Sequence, residues 1–310
     1  MPTNRSPIFS LRSTMHWTVP RPLAGLPPAL LLCLLSPTAR GGQPAGYTEA
    51  VTLYQSRQYS AAQTAFARIA REYPDDLEVN FHLGRLALWF DDERTAQAHL
   101  ERALQLAPND ARLFNALGDT YGLFAQKAPL LSKISWARRC RAAYERAVEL
   151  DPRSTAYRWS LLAYYQLAPF LVGGSEEKAR DEAEAIARLE PTAGRIARAT
   201  LQLAAHNHAA AFAEFEPVLR EHPDDFVALY QFGRCADLCG ERLELGLKHL
   251  RRCLELPAPV GEDLPRPVHV LCRIAGILGQ QGDIEGARAA RERAQALEPD
   301  FRPEKDALKN

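Results

Sequence analysis

Cysteine and histidine carry the most obvious latent chemistry in this 310-residue chain, which holds six of the first and eight of the second. Cys235, Cys239, His249 and Cys253 form a Cys-x3-Cys-x9-His-x3-Cys pattern, with the ligand types of a zinc site. Geometry works against that reading. In a helical hairpin turning near Glu241, Cys239 lies close to the turn. Cys253 lies about ten residues further from it, roughly 15 Å at 1.5 Å per residue. One ion cannot bridge that gap, so no metal ligand is assigned and no cofactor is expected. Cys140 and Cys253 read instead as small buried apolar side chains. An oxidising compartment would permit a Cys253–Cys272 disulfide, and the sequence leaves that pairing open. His206 and His208, two apart on a helix, should not face one another and read as a solvated pair.

Other reactive constellations are missing from the sequence. GxSxG, GxxxxGK[ST], GxGxxG and HExxH do not occur. Gly173-Gly174-Ser175 precedes Glu176 and Glu177 at a helix start. Ser175 suits an N-cap, and the two acids suit the helix dipole but would repel a phosphate. No catalytic residue is therefore assigned, the chain is read as a non-enzyme, and no small-molecule substrate is expected. Lys127, Lys133, Arg138, Arg139 and Arg141 surround Trp136; the run reads as a solvated helical face, with docking of an acidic partner as the alternative.

The elements that must position these residues are helices. Ala and Leu dominate while Val, Ile and Thr are sparse, which disfavours a large sheet. Seven amphipathic segments end at Pro74, Pro108, Pro152, Pro191, Pro223, Pro257 and Pro299, spaced 34, 44, 39, 32, 34 and 42 residues apart. Proline lacks the amide N–H and disfavours helix in the residue before it, so each marks a helix end. Inside the segments recur Leu83-Gly84-x2-Ala87 with Ala96-x3-Leu100-x2-Ala103, Leu117-Gly118-x2-Tyr121, Phe232-Gly233, Ala62-x3-Phe66, and Gly282-Asp283 before Ala287. Small residues at such positions let two helices approach closely.

These residues resemble the pattern of tetratricopeptide-repeat proteins, whose period is 34 residues. The resemblance runs over about residues 46–299. It implies an all-α, right-handed superhelical solenoid of about seven helix-turn-helix repeats. Three departures from the period fall near 122–137, 168–175 and 258–267, the last a proline-rich linker, and a tail follows at 300–310. The first two are similar to insertions in a group of exported bacterial repeat proteins and faintly to animal regulators of microtubule dynamics. Neither likeness implies an activity.

Charge is balanced at 38 basic and 38 acidic groups, which gives no general attraction for nucleic acid. The order of the first 45 residues is that of a signal peptide: Arg5, Arg12 and Arg21, then an apolar stretch from Leu23 to Leu35, then Ser36, Thr38, Ala39 and Ala45. Met1 and Met15 both fit as starts. A periplasmic or secreted chain is expected, with an uncleaved N-terminal membrane anchor as the alternative.

The resemblance also implies a binding surface. In that family ligands lie along a concave groove lined by fixed positions on the first helix of each repeat. Carried over, those positions give Phe81, Arg85, Leu88 and Trp89, then Arg112, Asn115 and Asp119, then Trp159, Ala163 and Gln166, then Tyr230, Arg234 and Asp237. Aromatic and arginine side chains on a polar groove have the composition of interaction hot spots. For Phe81 and Trp89 the alternative is that they fill seams between repeats. The clamp of lysines and asparagines that grips chaperone C-termini is not matched, because Phe81, Arg85, Asn115 and Asp119 stand at its positions and Asp119 would repel a carboxylate. A protein or peptide partner is expected. A scaffold or assembly role, with the inserts docking a membrane-associated complex, is the alternative.

Overall fold

All seven marker prolines act as helix stops, and each does so at the same distance. In the computed structural model, which describes residues 44–259, 265–298 and 301, the helices end at Glu72, Leu106, Leu150, Leu189, Glu221, Glu255 and Leu297. Each end falls two residues before its proline. The same short segment starts the next helix in four cases. Asp76, Asp110, Ser154 and Asp225 lie two residues past Pro74, Pro108, Pro152 and Pro223, and their side chains accept hydrogen bonds from the first-turn amides of Val79, Arg112, Tyr157 and Ala228. A Pro-x-Asp/Ser triplet therefore closes one repeat and opens the next. The expected targeting segment, the centre of the 258–267 linker and the tail past Phe301 lie outside the described residues.

Fifteen α-helices are described: α1 (Tyr47–Gln55), α2 (Tyr59–Glu72), α3 (Leu77–Trp89), α4 (Glu93–Leu106), α5 (Ala111–Lys127), α6 (Leu130–Leu150), α7 (Thr155–Leu167), α8 (Glu176–Leu189), α9 (Pro191–Ala204), α10 (His208–Ala213), α11 (Glu216–Glu221), α12 (Phe226–Cys239), α13 (Leu243–Glu255), α14 (Pro267–Gln280) and α15 (Ile284–Leu297). No strand occurs among the described residues, and no helix there is long and apolar enough to cross a membrane. They form seven helix pairs, because α10 and α11 together serve as one second helix. Pro217 explains that break: its ring cannot supply the amide a continuous helix would need. Arg195 donates to the Glu214 carbonyl at the break (3.2 Å).

Within four pairs the turn has one geometry. Arg57, Asp91, His206 and Gly282 all have positive φ, between 57° and 83°. The amide of each donates to the carbonyl three residues back, and the next amide donates to the carbonyl five back. This double bond is the Schellman closure of a helix C-terminus, whose left-handed residue favours glycine. Only Gly282 has the residue the turn prefers. Short turns of this kind force the paired helices to run back along one another.

Where the paired helices touch, a glycine faces a large side chain. A Cβ on Gly84 would lie 2.5 Å from Leu100 Cγ, one on Gly233 would lie 2.3 Å from Leu250 Cγ, and one on Gly118 would lie 2.4 Å from Tyr144 Cε1. The first two partners are 16 and 17 residues apart and the third pair 26, so the extra residues near 122–137 preserve the contact by lengthening α5 and α6 to 17 and 21 residues. The second interruption, at 168–175, holds a single 3-10 turn, Phe170–Val172, followed by Gly173 in the left-handed region and by Ser175, which caps α8 as expected.

The chain divides into two compact units, residues 44–109 and 110–301 over the described stretch. The first unit holds α1–α4. Its core joins Ala62, Phe66, Ile69, Val79, Leu83 and Leu86, with His82 stacked on Phe66 at 4.6 Å. The second holds α5–α15. There α7 packs on α9, α9 on α12, and α12 on α14, so first helices of successive pairs form one layer. Phe301 closes the end against Val268, Leu271 and Ala294.

Two substitutions test this scheme by denaturant unfolding. Gly233→Ala gains helix propensity worth about 1 kcal/mol, yet the clash with Leu250 should make the protein less stable by about 1–3 kcal/mol. His206→Gly should raise stability by up to about 1 kcal/mol, because it relieves a left-handed conformation costing about 1–2 kcal/mol.

Candidate functional site

The groove positions expected from the sequence fall into three groups. Some belong to the core. Trp159 is 3% exposed and packs within the largest apolar cluster of the second unit, so it supports the surface without reaching a ligand. Trp89 is half-buried with its ring 4.5 Å from Tyr59, and so fills the seam between α2 and α3. Phe81 and Arg85 are half-buried on α3 in the same unit.

A second group is held by its own repeat. Arg112 donates to both carboxylate oxygens of Asp110, the cap of its helix, at 2.6–3.1 Å. Asp119 accepts the Tyr144 hydroxyl proton at 2.7 Å, in the space Gly118 leaves open. Burial and that neighbouring carboxylate push the Tyr144 hydroxyl well above its ordinary range. Gln166 donates to the Thr200 carbonyl at 3.4 Å, tying α7 to α9. Asn115 is half-buried on α5, with its Oδ1 enclosed.

The third group comes together. Tyr230, Arg234 and Asp237 recur at helical spacing on one face of α12, and α14 lies against that helix. From α14, Arg273 donates to Asp237 Oδ2 at 3.0 Å, and Gln280 donates to the Asp237 carbonyl oxygen at 2.7 Å. Against the opposing effect of burial, Tyr230 together with Asp237 raises the Arg273 guanidinium above its ordinary range. Gly276 makes the approach possible, since a Cβ there would lie 2.1 Å from Asp237 Oδ1. Tyr230 and Arg273 are each only 8% exposed, which makes this an enclosed polar site in an apolar layer.

Its charges do not balance: two guanidinium groups, Arg234 and Arg273, share one carboxylate. Burial, and then the Arg273 charge, push the Arg234 guanidinium below its ordinary range. Burial likewise pushes the Asp237 carboxyl up, opposing the pull of Arg273 and Arg234 in the other direction. A buried ion pair of this kind brings little net stability, because the desolvation of both ions offsets their attraction. An additional anion would relieve the unmatched cation at Arg234, by charge-assisted hydrogen bonds to its planar fork.

Arg273 was not among the expected residues. Its signal is visible in the sequence: it is the only Lys, Arg, Asp or Glu in Pro267–Gln280, a mostly apolar helix. A charge among buried apolar residues calls for a partner, and Asp237 supplies it.

The cysteines and histidines behave as follows. Cys140, Cys235, Cys239 and Cys253 are free thiols, all but Cys239 buried, and Cys272 on α14 is half-buried. Burial pushes the Cys235 and Cys253 thiols up to about 12, which keeps them protonated and inert. The solvated His206–His208 pair needs correction. His206 occupies the left-handed turn and only His208 starts α10, so their rings lie 6.1 Å apart, edge to face. His208 Nδ1 instead bonds Glu241 Oε1 at 2.7 Å. With Cys239 these form a set whose ligand atoms lie within 4.8 Å of one another. Burial raises the Cys239 thiol, and Arg242 stands beside it, so the local chemistry favours a hydrogen-bonded cap over the turn.

Comparison with known proteins gives the architecture its context. Residues 53–119 match the family model described as tetratricopeptide repeat. No curated protein matches the sequence. A tetratricopeptide repeat protein from Parabacteroides merdae superposes with a TM-score of 0.53 at 13% identity, over 84% of this chain and 94% of that one. A thermophilic TPR protein of Thermus thermophilus gives 0.49 at 20% identity, over 67% of this chain and 96% of that one. Residues 53–119 carry the tetratricopeptide repeat, and the described chain shares the helix-pair fold of such proteins through to α15.

Proposed function

We propose that the chain is an interaction module whose first-helix layer holds a protein or peptide, and that an acidic group of the partner seats against Arg234 beside Arg273. Repeat folds of this type typically serve as non-catalytic binding surfaces, with the ligand set by the site and not by the fold. The observation that carries the reading is the charge imbalance on α12 and α14. Asp237 engages Arg273, which leaves Arg234 partly enclosed and without an equal share of negative charge. A partner's aspartate, glutamate or C-terminal carboxylate supplies the missing charge in bidentate geometry. The basic, apolar and small-residue order at the N-terminus supports placing that partner in the periplasm or outside the cell.

Selection from a random peptide library, followed by fluorescence-anisotropy titration of the recovered peptides, tests this. Recovered peptides should be enriched in acidic side chains or should need a free C-terminus. Arg234→Gln should weaken them by about tenfold or more, consistent with loss of one charge-assisted hydrogen bond worth about 1.5–3 kcal/mol. Peptides without an acidic group that bind wild type and Arg234→Gln equally would contradict the reading.

A further inference from the structure

The two interruptions inside the second unit contain closely matching short sequences. Ala128-Pro129-Leu130-Leu131 follows α5, and Ala168-Pro169-Phe170-Leu171 follows α7. Their backbones agree as well: Ala128 and Ala168 have φ, ψ of −73°, 151° and −77°, 145°, and Pro129 and Pro169 have −58°, 156° and −63°, 152°. In each case the proline ends an extended step and the next two apolar residues open a new helical turn.

Those apolar residues face outward. Leu130, Leu131, Phe170 and Leu171 are 74%, 85%, 92% and 68% exposed, the four most exposed large apolar side chains among the described residues. They belong to one locality. Val172, next to Leu171, packs with Ala125 and Ala137 and against Ile134, one turn past Leu130. Arg141 donates to the Val172 carbonyl at 3.3 Å. Trp136 stacks on Phe124 at 4.4 Å, which stiffens the lengthened α5–α6 hairpin beneath the tips.

The surrounding charge is mainly positive, with Arg141 paired to Glu145 at 3.6 Å. From Thr120 to Tyr144 there are five basic residues, Lys127, Lys133, Arg138, Arg139 and Arg141, and no acidic one. Arg138 lies two turns along the α6 face from Leu131, and Arg139 stands over the Trp136 ring at 4.9 Å. The nearest acids after Leu171, Glu176 and Glu177, begin α8 past the Gly173-Gly174 turn.

We infer that the paired Pro-Leu-Leu and Pro-Phe-Leu tips dock the protein on the surface of an anionic lipid bilayer. Leucine and phenylalanine enter the boundary between headgroups and acyl chains, where their burial is favourable. The basic groups lie at the level of the lipid phosphates. Charge complementarity selects this occupant, because a cationic rim around apolar tips matches an anionic surface over an apolar interior. The inference does not depend on the Arg234 site.

Co-sedimentation of the full chain with phosphatidylcholine vesicles, with and without phosphatidylglycerol, tests it. Wild type should bind the anionic vesicles, and binding should weaken as salt is raised. Leu130→Ser with Leu131→Ser, and Phe170→Ser with Leu171→Ser, should each lower partitioning about tenfold or more, given the apolar area withdrawn from the bilayer. Lys127→Gln with Lys133→Gln should weaken binding to anionic vesicles, and Arg234→Gln should leave it unchanged. Because the tips are exposed, thermal unfolding of these variants should match wild type. The apolar stretch Leu23–Leu35 is common to all variants, so tip-dependent loss is separable from any binding it contributes. The inference is overturned if wild type ignores vesicles, if both tip variants partition like wild type, or if neutral and anionic vesicles bind equally. It is also overturned if the tips prove to hold a second copy, seen as a concentration-dependent dimer that the tip variants abolish.

Discussion

Three helix pairs are held at a distance that only a hydrogen atom at one position permits. Gly84, Gly118 and Gly233 each give up their side-chain volume to Leu100, Tyr144 and Leu250 on the returning helix. Close approach brings the remaining apolar residues of both helices into contact, and interiors packed at crystal-like density tolerate no added methyl group there. Everything else in the second unit follows from that spacing. It sets the layer of first helices, and the layer places α14 against α12 closely enough for Arg273 to reach Asp237.

The polar site uses the same device a second time. Gly276 on α14 accommodates the Asp237 carboxylate much as Gly233 accommodates Leu250. Polar groups enclosed in an apolar layer are costly unless satisfied, so a site with two cations and one anion is poised toward an anionic partner. Other repeats put different residues at the corresponding positions, and there the side chains are committed to internal contacts: Arg112 to Asp110, Asp119 to Tyr144, Gln166 to Thr200.

Much of the helical plan was legible because its signals are local. Proline stops act through the missing amide, and the caps that follow them act through a side-chain oxygen two residues on. The break at Pro217 is equally local, although the sequence expectations did not include it. Burial was less legible. Trp159 and Tyr230 have the composition of hot-spot residues, yet both lie in the core, because a period of 3.6 does not by itself say which face of a helix its neighbours cover. The partnership of Arg273 with Asp237 joins residues 36 apart across a proline-rich linker, and only the folded arrangement brings them together. The exposure of Leu130, Leu131, Phe170 and Leu171 was hidden for the converse reason, since apolar doublets in a helical protein read as core.

Hydrogen exchange on the chain with and without a saturating acidic peptide measures the central claim most directly, since it reports which helices the ligand steadies without altering any residue. Slowed exchange should concentrate in Phe226–Cys239 and Pro267–Gln280, with little change in α3 or α5. Protection confined to α3 or α5, with α12 and α14 unaffected, would contradict it.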